Sequence, residues 1–166
     1  MTLVIRSATP EDLTQVGELT AHAYLADDLL SPEDGYLDEL RDAVGRAGVG
    51  TVLVAVDDGQ EGGRQVVGTV TLAQAGSPLA EIAVPGEVEL RMLAVAPDAR
   101  GRGVGEALLR AALAHGTEAG AQRVVLSTLV EMRAAQRMYQ RLGLRRVPAR
   151  DWSVEGYSMV AYTIDL

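Results

Sequence analysis

Residues 97–113, PDARGRGVGEALLRAAL, put glycines at 101, 103 and 105 between an apolar, strand-like run and a run rich in alanine and leucine. Without a β-carbon, glycine reaches left-handed conformations and lets another group come close to the backbone. Directly before a helix, such a stretch opens the free N–H groups of the helix start to an anion, and the setting points to phosphate. Arg100 and Arg102 add mobile positive charge. Spacing separates the possible phosphate loops. A P-loop needs Gly-x-x-x-x-Gly-Lys-Ser/Thr, whereas this stretch has no lysine and Glu106 follows Gly105. A Rossmann fingerprint needs Gly-x-Gly-x-x-Gly in a βαβ unit, whereas the pattern here is Gly101-x-Gly103-x-Gly105 and the preceding strands read as antiparallel.

Around this loop the chain alternates strand and helix patterns. LVIRSA reads as a first strand and TPEDLTQVGELTAHAY as a helix, with Thr9 as cap, Pro10 in the first turn and an apolar stripe of Leu13, Val16, Leu19 and Ala23. A second helix is expected from Ser31 and Pro32, burying Leu37, Leu40 and Val44 and ending at Gly48 and Gly50. TVLVAVDD and QVVGTVTLAQ are β-branched runs, expected as antiparallel strands joined by the flexible loop DGQEGGR. EVELRMLAVAP is the central strand, stopped by Pro97, and a helix follows from about Val104 to Ala119. QRVVLSTL is a further buried strand. In EMRAAQRMYQRLGL, Ala135, Met138, Tyr139 and Leu142 share helical spacing, Arg133, Gln136, Arg137, Gln140 and Arg141 face elsewhere, and Gly143 is the stop. The end reads as two strands around a loop containing Trp152. The expectation is one mixed α/β domain over residues 1–166, ordered β-α-α-β-β-β-α-β-α-β-β.

Composition narrows the chemistry. There is no cysteine, so thiol nucleophiles and thiolate metal sites are excluded, and His22 and His115 lack partners at ligand spacing, so no metal is expected. They read as satisfied or surface histidines. A net charge of -8 disfavours nucleic acid as a partner. No apolar run approaches the ~18 to 20 residues of a membrane span, and the start lacks the basic-then-apolar pattern of a signal peptide. A cytoplasmic protein with no membrane partner is expected.

Arg100-x-x-Gly103-x-Gly105 after LAVAP resembles the Gcn5-related N-acetyltransferase family, whose pattern is Arg or Gln, two residues, Gly, one residue, Gly or Ala. A second signature of that family, an Ala-x-x-Leu-Tyr-x-x-Leu-Gly-Phe-like helix end, is matched by AQRMYQRLGL from Ala135 through Tyr139 to Leu144. The specific part of the resemblance spans residues 87–144. It implies a splayed, mostly antiparallel central sheet and acetyl-CoA as cosubstrate. The pyrophosphate would lie on the N–H groups of Arg102, Gly103, Val104 and Gly105, with Arg100 and Gly101 shaping the turn. Pantetheine would run along the strand edge at Leu93, Ala94 and Val95, and a backbone N–H near Leu93 would receive the developing oxyanion.

The acceptor implied is a primary amine on a small molecule or peptide, which must lose a proton before attack because a lysine-like amine has a pKa of ~10.4. Glu89 matches the glutamate that some members use as base, directly or through water, and Glu87 shares its strand face at the two-residue period. A carboxyl whose pKa is raised by burial and by its neighbour would suit that role. The purely structural reading is a salt-bridged strand face including Arg91. Tyr139 matches the tyrosine that protonates the leaving thiolate, and otherwise is a core residue of its helix. Tyr24, Tyr36 and Trp152 fall in segments that wall the acceptor pocket in the family, with core packing the alternative reading for each. Met132 departs from the pattern, since many members carry asparagine there, and this puts subfamily specificity in doubt. Other readings of the same motifs are a longer acyl-CoA, a hydroxyl acceptor, or a CoA-binding sensor or interaction module without chemistry. Family resemblance also suggests a homodimer.

Overall fold

The computed structural model describes residues 1–59 and 61–166. Gln60, in the expected hairpin loop, lies outside them. The chain is organised as two compact units. Residues Met1–Leu72 and Met92–Ala112 form the first, and Ala73–Arg91 and Leu113–Leu166 the second.

In the first unit, β1 (Leu3–Ser7) pairs antiparallel with β2 (Thr51–Asp57), which pairs antiparallel with β3 (Gln65–Gln74). β3 in turn neighbours β4 (Glu87–Val95). Their valines give a strand propensity that fits burial on both faces, and β2 is buried from Val52 onward. Thr9 and Pro10 start a 3-10 turn that leads into α1 (Leu13–Ala26). Val16 of α1 packs with Val52, Val54, Val56 and Val66, and Leu13 and Leu19 flank that cluster as their spacing requires.

The second helix differs from expectation. Ser31 and Pro32 form a turn, and the helix begins only at Tyr36, whose N–H is received by Asp34. It runs as α2 (Tyr36–Arg41), breaks at Asp42, and resumes as α3 (Ala43–Val49), where the Asp42 side chain caps the Gly45 N–H at 2.9 Å. This break rotates the buried face onto Ala43 and Arg46, so Val44, expected inside, is 69% exposed.

β4 passes from one unit to the other between Arg91 and Met92. Met92 is buried with φ 55, a left-handed conformation that a non-glycine residue adopts at a cost. α4 (Val104–Glu118) starts in the first unit, where Val104 and Leu108 lie close to Gly68 of β3. A β-carbon on Gly68 would stand 2.8 Å from both side chains, so this glycine serves helix-to-strand packing.

In the second unit, β5 (Arg123–Leu129) pairs parallel with β4 from Glu87↔Arg123 to Leu90↔Leu126 and antiparallel with β8 (Tyr157–Asp165). α5 (Arg133–Arg141) ends at Leu142, before Gly143 with φ 93. Gln136 of α5, expected to face away, is half-buried and donates to the carbonyls of Leu129 and Val130. The end of the chain has three strands where two were expected. β6 (Arg145–Arg146) and β7 (Trp152–Val154) each pair antiparallel with β8, so Trp152 stands in a strand and not in a loop. A turn at Pro148–Arg150 separates them. The observed fold is therefore mixed α/β with mostly antiparallel strands. All 15 residues of the Lys and Arg class are arginine, so every ion pair that they make is a guanidinium pair.

Candidate active site

The predicted residues divide between the two units. Tyr24, Leu93 to Val95 and the glycine loop belong to the first, and Glu87, Glu89, Tyr139 and Trp152 to the second.

The loop has the geometry of an open helix start. Gly101 has φ 75 and Gly103 φ 78, both left-handed, and a β-carbon on either would meet nothing within 4 Å. These glycines therefore do not serve side-chain packing: their left-handed φ calls for glycine, and the space beside them is open. The carbonyl of Gly103 accepts the Ala107 N–H at 3.0 Å, which makes Gly103 the cap and leaves the N–H groups of the next residues at the helix's positive end. Glu106, in that first turn, pairs with Arg110 at 2.9 Å. Arg102 is exposed. Arg100 is engaged: its guanidinium donates to Asp27 at the end of α1 at 2.5 Å and to the Val95 carbonyl at 3.4 Å. In the strand leading into the loop Ala94 is buried, Leu93 and Val95 are half-buried, and the Ala96 N–H bonds the Val67 carbonyl at 2.9 Å. Tyr24 and Tyr36 meet edge to face with centroids 6.5 Å apart.

In the second unit Glu87 and Glu89 are brought together on one face of β4, but both are occupied. Glu89 is 1% exposed, and its Oε1 accepts the N–H groups of Glu81, Ile82 and Ala83 at 3.0, 2.8 and 2.9 Å. Glu87 accepts the Val84 N–H at 3.0 Å and a bidentate pair from Arg150 at 2.8 Å and 2.8 Å. Burial pushes the Glu87 carboxyl up, but Arg150, the Val84 N–H and Arg123 together outweigh it and hold its pKa below the usual carboxylate range. Glu87 thus does not show the raised pKa that burial alone would give it, because its hydrogen bonds from Arg150, Val84 and Arg123 prevail. Arg91 pairs with Glu81 at 2.7 Å and donates to the Leu79 carbonyl at 3.1 Å.

Tyr139 is 5% exposed, its ring 5.7 Å from that of Tyr162. Desolvation, with a smaller contribution from Tyr162, pushes the Tyr139 phenol well above its ordinary pKa, so it carries its proton throughout the neutral range. The Tyr162 hydroxyl, by contrast, lies between Gln136 and Gln140. The Trp152 indole donates to Ser127 at 2.9 Å. Met132 caps α5, its sulfur 3.5 Å from the Thr128 hydroxyl. His22 is exposed and lines a groove of about 720 Å³ with Gln15, Leu19 and Pro97, and His115 is half-buried. Among the described residues no group of three or more His, Cys, Asp or Glu side chains could hold a metal ion. No described helix is long and apolar enough to cross a membrane.

Sequence reasoning missed Asp27, Arg150 and the amides of 81–83. Their partners lie 73, 63 and 6 to 8 residues away, and only the last interval is short enough to have left a local signal.

The family model described as the acetyltransferase (GNAT) family matches residues 16–144. Among curated proteins none matches the sequence. The fold is similar to that of a GNAT-family acetyltransferase from Staphylococcus aureus Mu50, with TM-score 0.75, 16% identity and 99% of each chain covered. It is also similar to yncA from Salmonella typhimurium, solved with its cofactor acetyl-CoA, with TM-score 0.72, 19% identity, and 100% and 95% of the two chains covered. PaiA N-acetyltransferase from Thermoplasma acidophilum, solved with coenzyme A, gives TM-score 0.74, 16% identity, and coverage of 97% of this chain and 98% of that one.

Proposed function

The chain belongs to the acetyltransferase (GNAT) family, and from that membership we propose that it transfers the acetyl group of acetyl-CoA to a primary amine of a small molecule or peptide, with residues 1–166 acting as one catalytic domain. The observation that carries this reading is the open space at Gly101 and Gly103, two left-handed glycines at the start of α4 that no packing requirement explains. A pyrophosphate needs such clearance to reach backbone N–H groups. Arg102, Gly103, Val104 and Gly105 would hold it, with Arg100 and Gly101 beside them, and the backbone of Leu93, Ala94 and Val95 would receive the pantetheine amides.

Acetyl-CoA supplies the acetyl group as a thioester open to attack by an unprotonated amine. A backbone N–H near Leu93 offers the donor for negative charge on the carbonyl oxygen. Tyr139, which keeps its proton at neutral pH, would be the donor to the departing sulfur as the C–S bond breaks and the C–N bond forms. The proton lost by the amine leaves to solvent, and Tyr139 is restored from there. Tyr24 in the first unit, and Glu87 and Trp152 in the second, are each assigned by this reading to acceptor binding, and the net charge of -8 favours a cationic amine.

Calorimetric titration with acetyl-CoA and with CoA tests this directly. Micromolar binding followed by thiol release with a member of an amine panel is the expected result. No binding by folded protein would refute the reading, and binding without turnover on any amine would convert it to a CoA-binding module.

A further inference from the structure

Glu87, Glu89 and Arg91 alternate along β4 and share one face, and all three are spent on the same target, the irregular segment 79–84 between β3 and β4. Glu89 takes the N–H groups of Glu81, Ile82 and Ala83, and Glu87 takes that of Val84. Arg91 donates to the Leu79 carbonyl and pairs with the Glu81 carboxylate. From the turn after β6, Arg150 grips Glu87 with two nitrogens and donates to the Ile82 carbonyl at 2.6 Å. Immediately after it, Asp151 is held bidentately by Arg146 at 2.7 and 2.8 Å and accepts the Ala161 N–H at 2.9 Å, so the segment carrying Arg150 is itself anchored to β8.

We infer that Arg150, Glu87 and Glu89 are positioning residues that join segment 79–84 and the turn Pro148–Arg150 into one wall of the acceptor site, and that Glu89 anchors this wall in place of serving as the proton acceptor. The inference rests on the acetyltransferase reading for what the wall faces; the joining of the two segments stands on the contacts alone. The chemistry of Glu89 argues for anchoring. A carboxylate oxygen has two lone pairs, and Oε1 is already shared by three donors, while Oε2 also accepts from Glu81 at 3.1 Å. To take a proton from an amine, Glu89 would have to release the donors that fix the loop. An irregular segment with this many backbone groups tied down is held in one conformation, and a wall held that way selects its acceptor by shape.

The test combines steady-state kinetics across the neutral pH range with amide hydrogen exchange, on E89Q, R150A and R150K. Glutamine keeps an oxygen that accepts the three N–H bonds, so E89Q should lose less than about tenfold in kcat and keep the acid limb of its pH profile where the parent has it. R150A should raise the amine KM by about tenfold or more with little change in kcat or in the KM for acetyl-CoA, and R150K should recover part of that loss. Exchange in 79–84 and in 148–154 should accelerate together in R150A. The inference is overturned if E89Q loses about a hundredfold or more in kcat and its acid limb disappears, which would make Glu89 the base. It is equally overturned if R150A speeds exchange in 148–154 while 79–84 is unchanged. Should no amine turn over, the acetyltransferase reading fails on its own, and the exchange result alone supports or refutes the joining of the two segments.

Discussion

Arg100 and Asp27, 73 residues apart in sequence, are joined by a 2.5 Å ion pair that ties the residue just before the glycine loop to the end of α1. Both side chains are partly exposed, so the pair itself contributes only about 0 to 1 kcal/mol. It nonetheless holds a countercharge on a guanidinium that a phosphate would compete for. D27N should therefore tighten binding of CoA by up to about fivefold at low salt, and the gain should shrink as salt is added. R100A should weaken binding. Titration calorimetry at two ionic strengths checks both; weaker binding by D27N would show that the pair is needed to shape the loop.

Gly103 and Gly68 have opposite jobs, and alanine separates them. In G103A the new methyl meets no neighbour, and the left-handed backbone costs about 1 to 2 kcal/mol, a few degrees in Tm. Loss of CoA affinity should be the dominant effect. In G68A the methyl would press on Val104 and Leu108, a crowding worth about 1 to 3 kcal/mol, and Tm should fall further. Melting curves with and without CoA report both quantities.

Replacing Tyr139 by phenylalanine keeps the ring against Tyr162 and removes the proton. The expected outcome is a fall in kcat of about 10² to 10⁴ with the dissociation constant for acetyl-CoA unchanged. A kcat within a factor of two of the parent would assign Tyr139 to the core alone.

Acid sensitivity should arise in part at Asp12. Its carboxylate is bonded by Arg6 at 2.6 and 3.1 Å and also accepts from the Thr9 N–H and hydroxyl, which together outweigh burial and lower its pKa from 3.8 to about 2. A folded-state pKa below the unfolded one contributes stability that is present above pH 3.8 and is lost as the pH falls towards about 2. D12N should cost about 1 to 2 kcal/mol at neutral pH, and the gap between the two proteins should close across that acid window in denaturant titrations.

Much of the fold was legible because it is local. The valine runs and proline stops located β2, β3 and β4, and glycine spacing located the loop that starts α4. The start of α2 and the burial of Val44 were misjudged because Asp42, a residue neutral in pattern, breaks the helix by bonding the Gly45 N–H and turning the chain beyond it. Trp152 read as loop because a three-residue strand carries no periodicity; its place is fixed by pairing with Met159 on β8. On the site, residue types were readable but their occupancy was not. Glu87 and Glu89 could be set on one face from the strand period, yet only the fold brings Arg150 and the amides of 81–83 to them.

The restriction of positive charge to arginine has a consequence for an enzyme of this chemistry. A guanidinium is protonated at any physiological pH and presents no lone pair to a thioester, whereas an ε-amine would be both a possible target and, once modified, a lost charge. No side chain in these 166 residues is a primary amine. The contacts of Arg100, Arg91 and Arg150 are therefore proof against the reaction the protein is proposed to carry out, and prolonged incubation with acetyl-CoA should leave every side-chain ion pair as it was. In an intact-mass experiment, acetyl groups found on an added amine can then be counted against a side-chain background free of self-modified lysine.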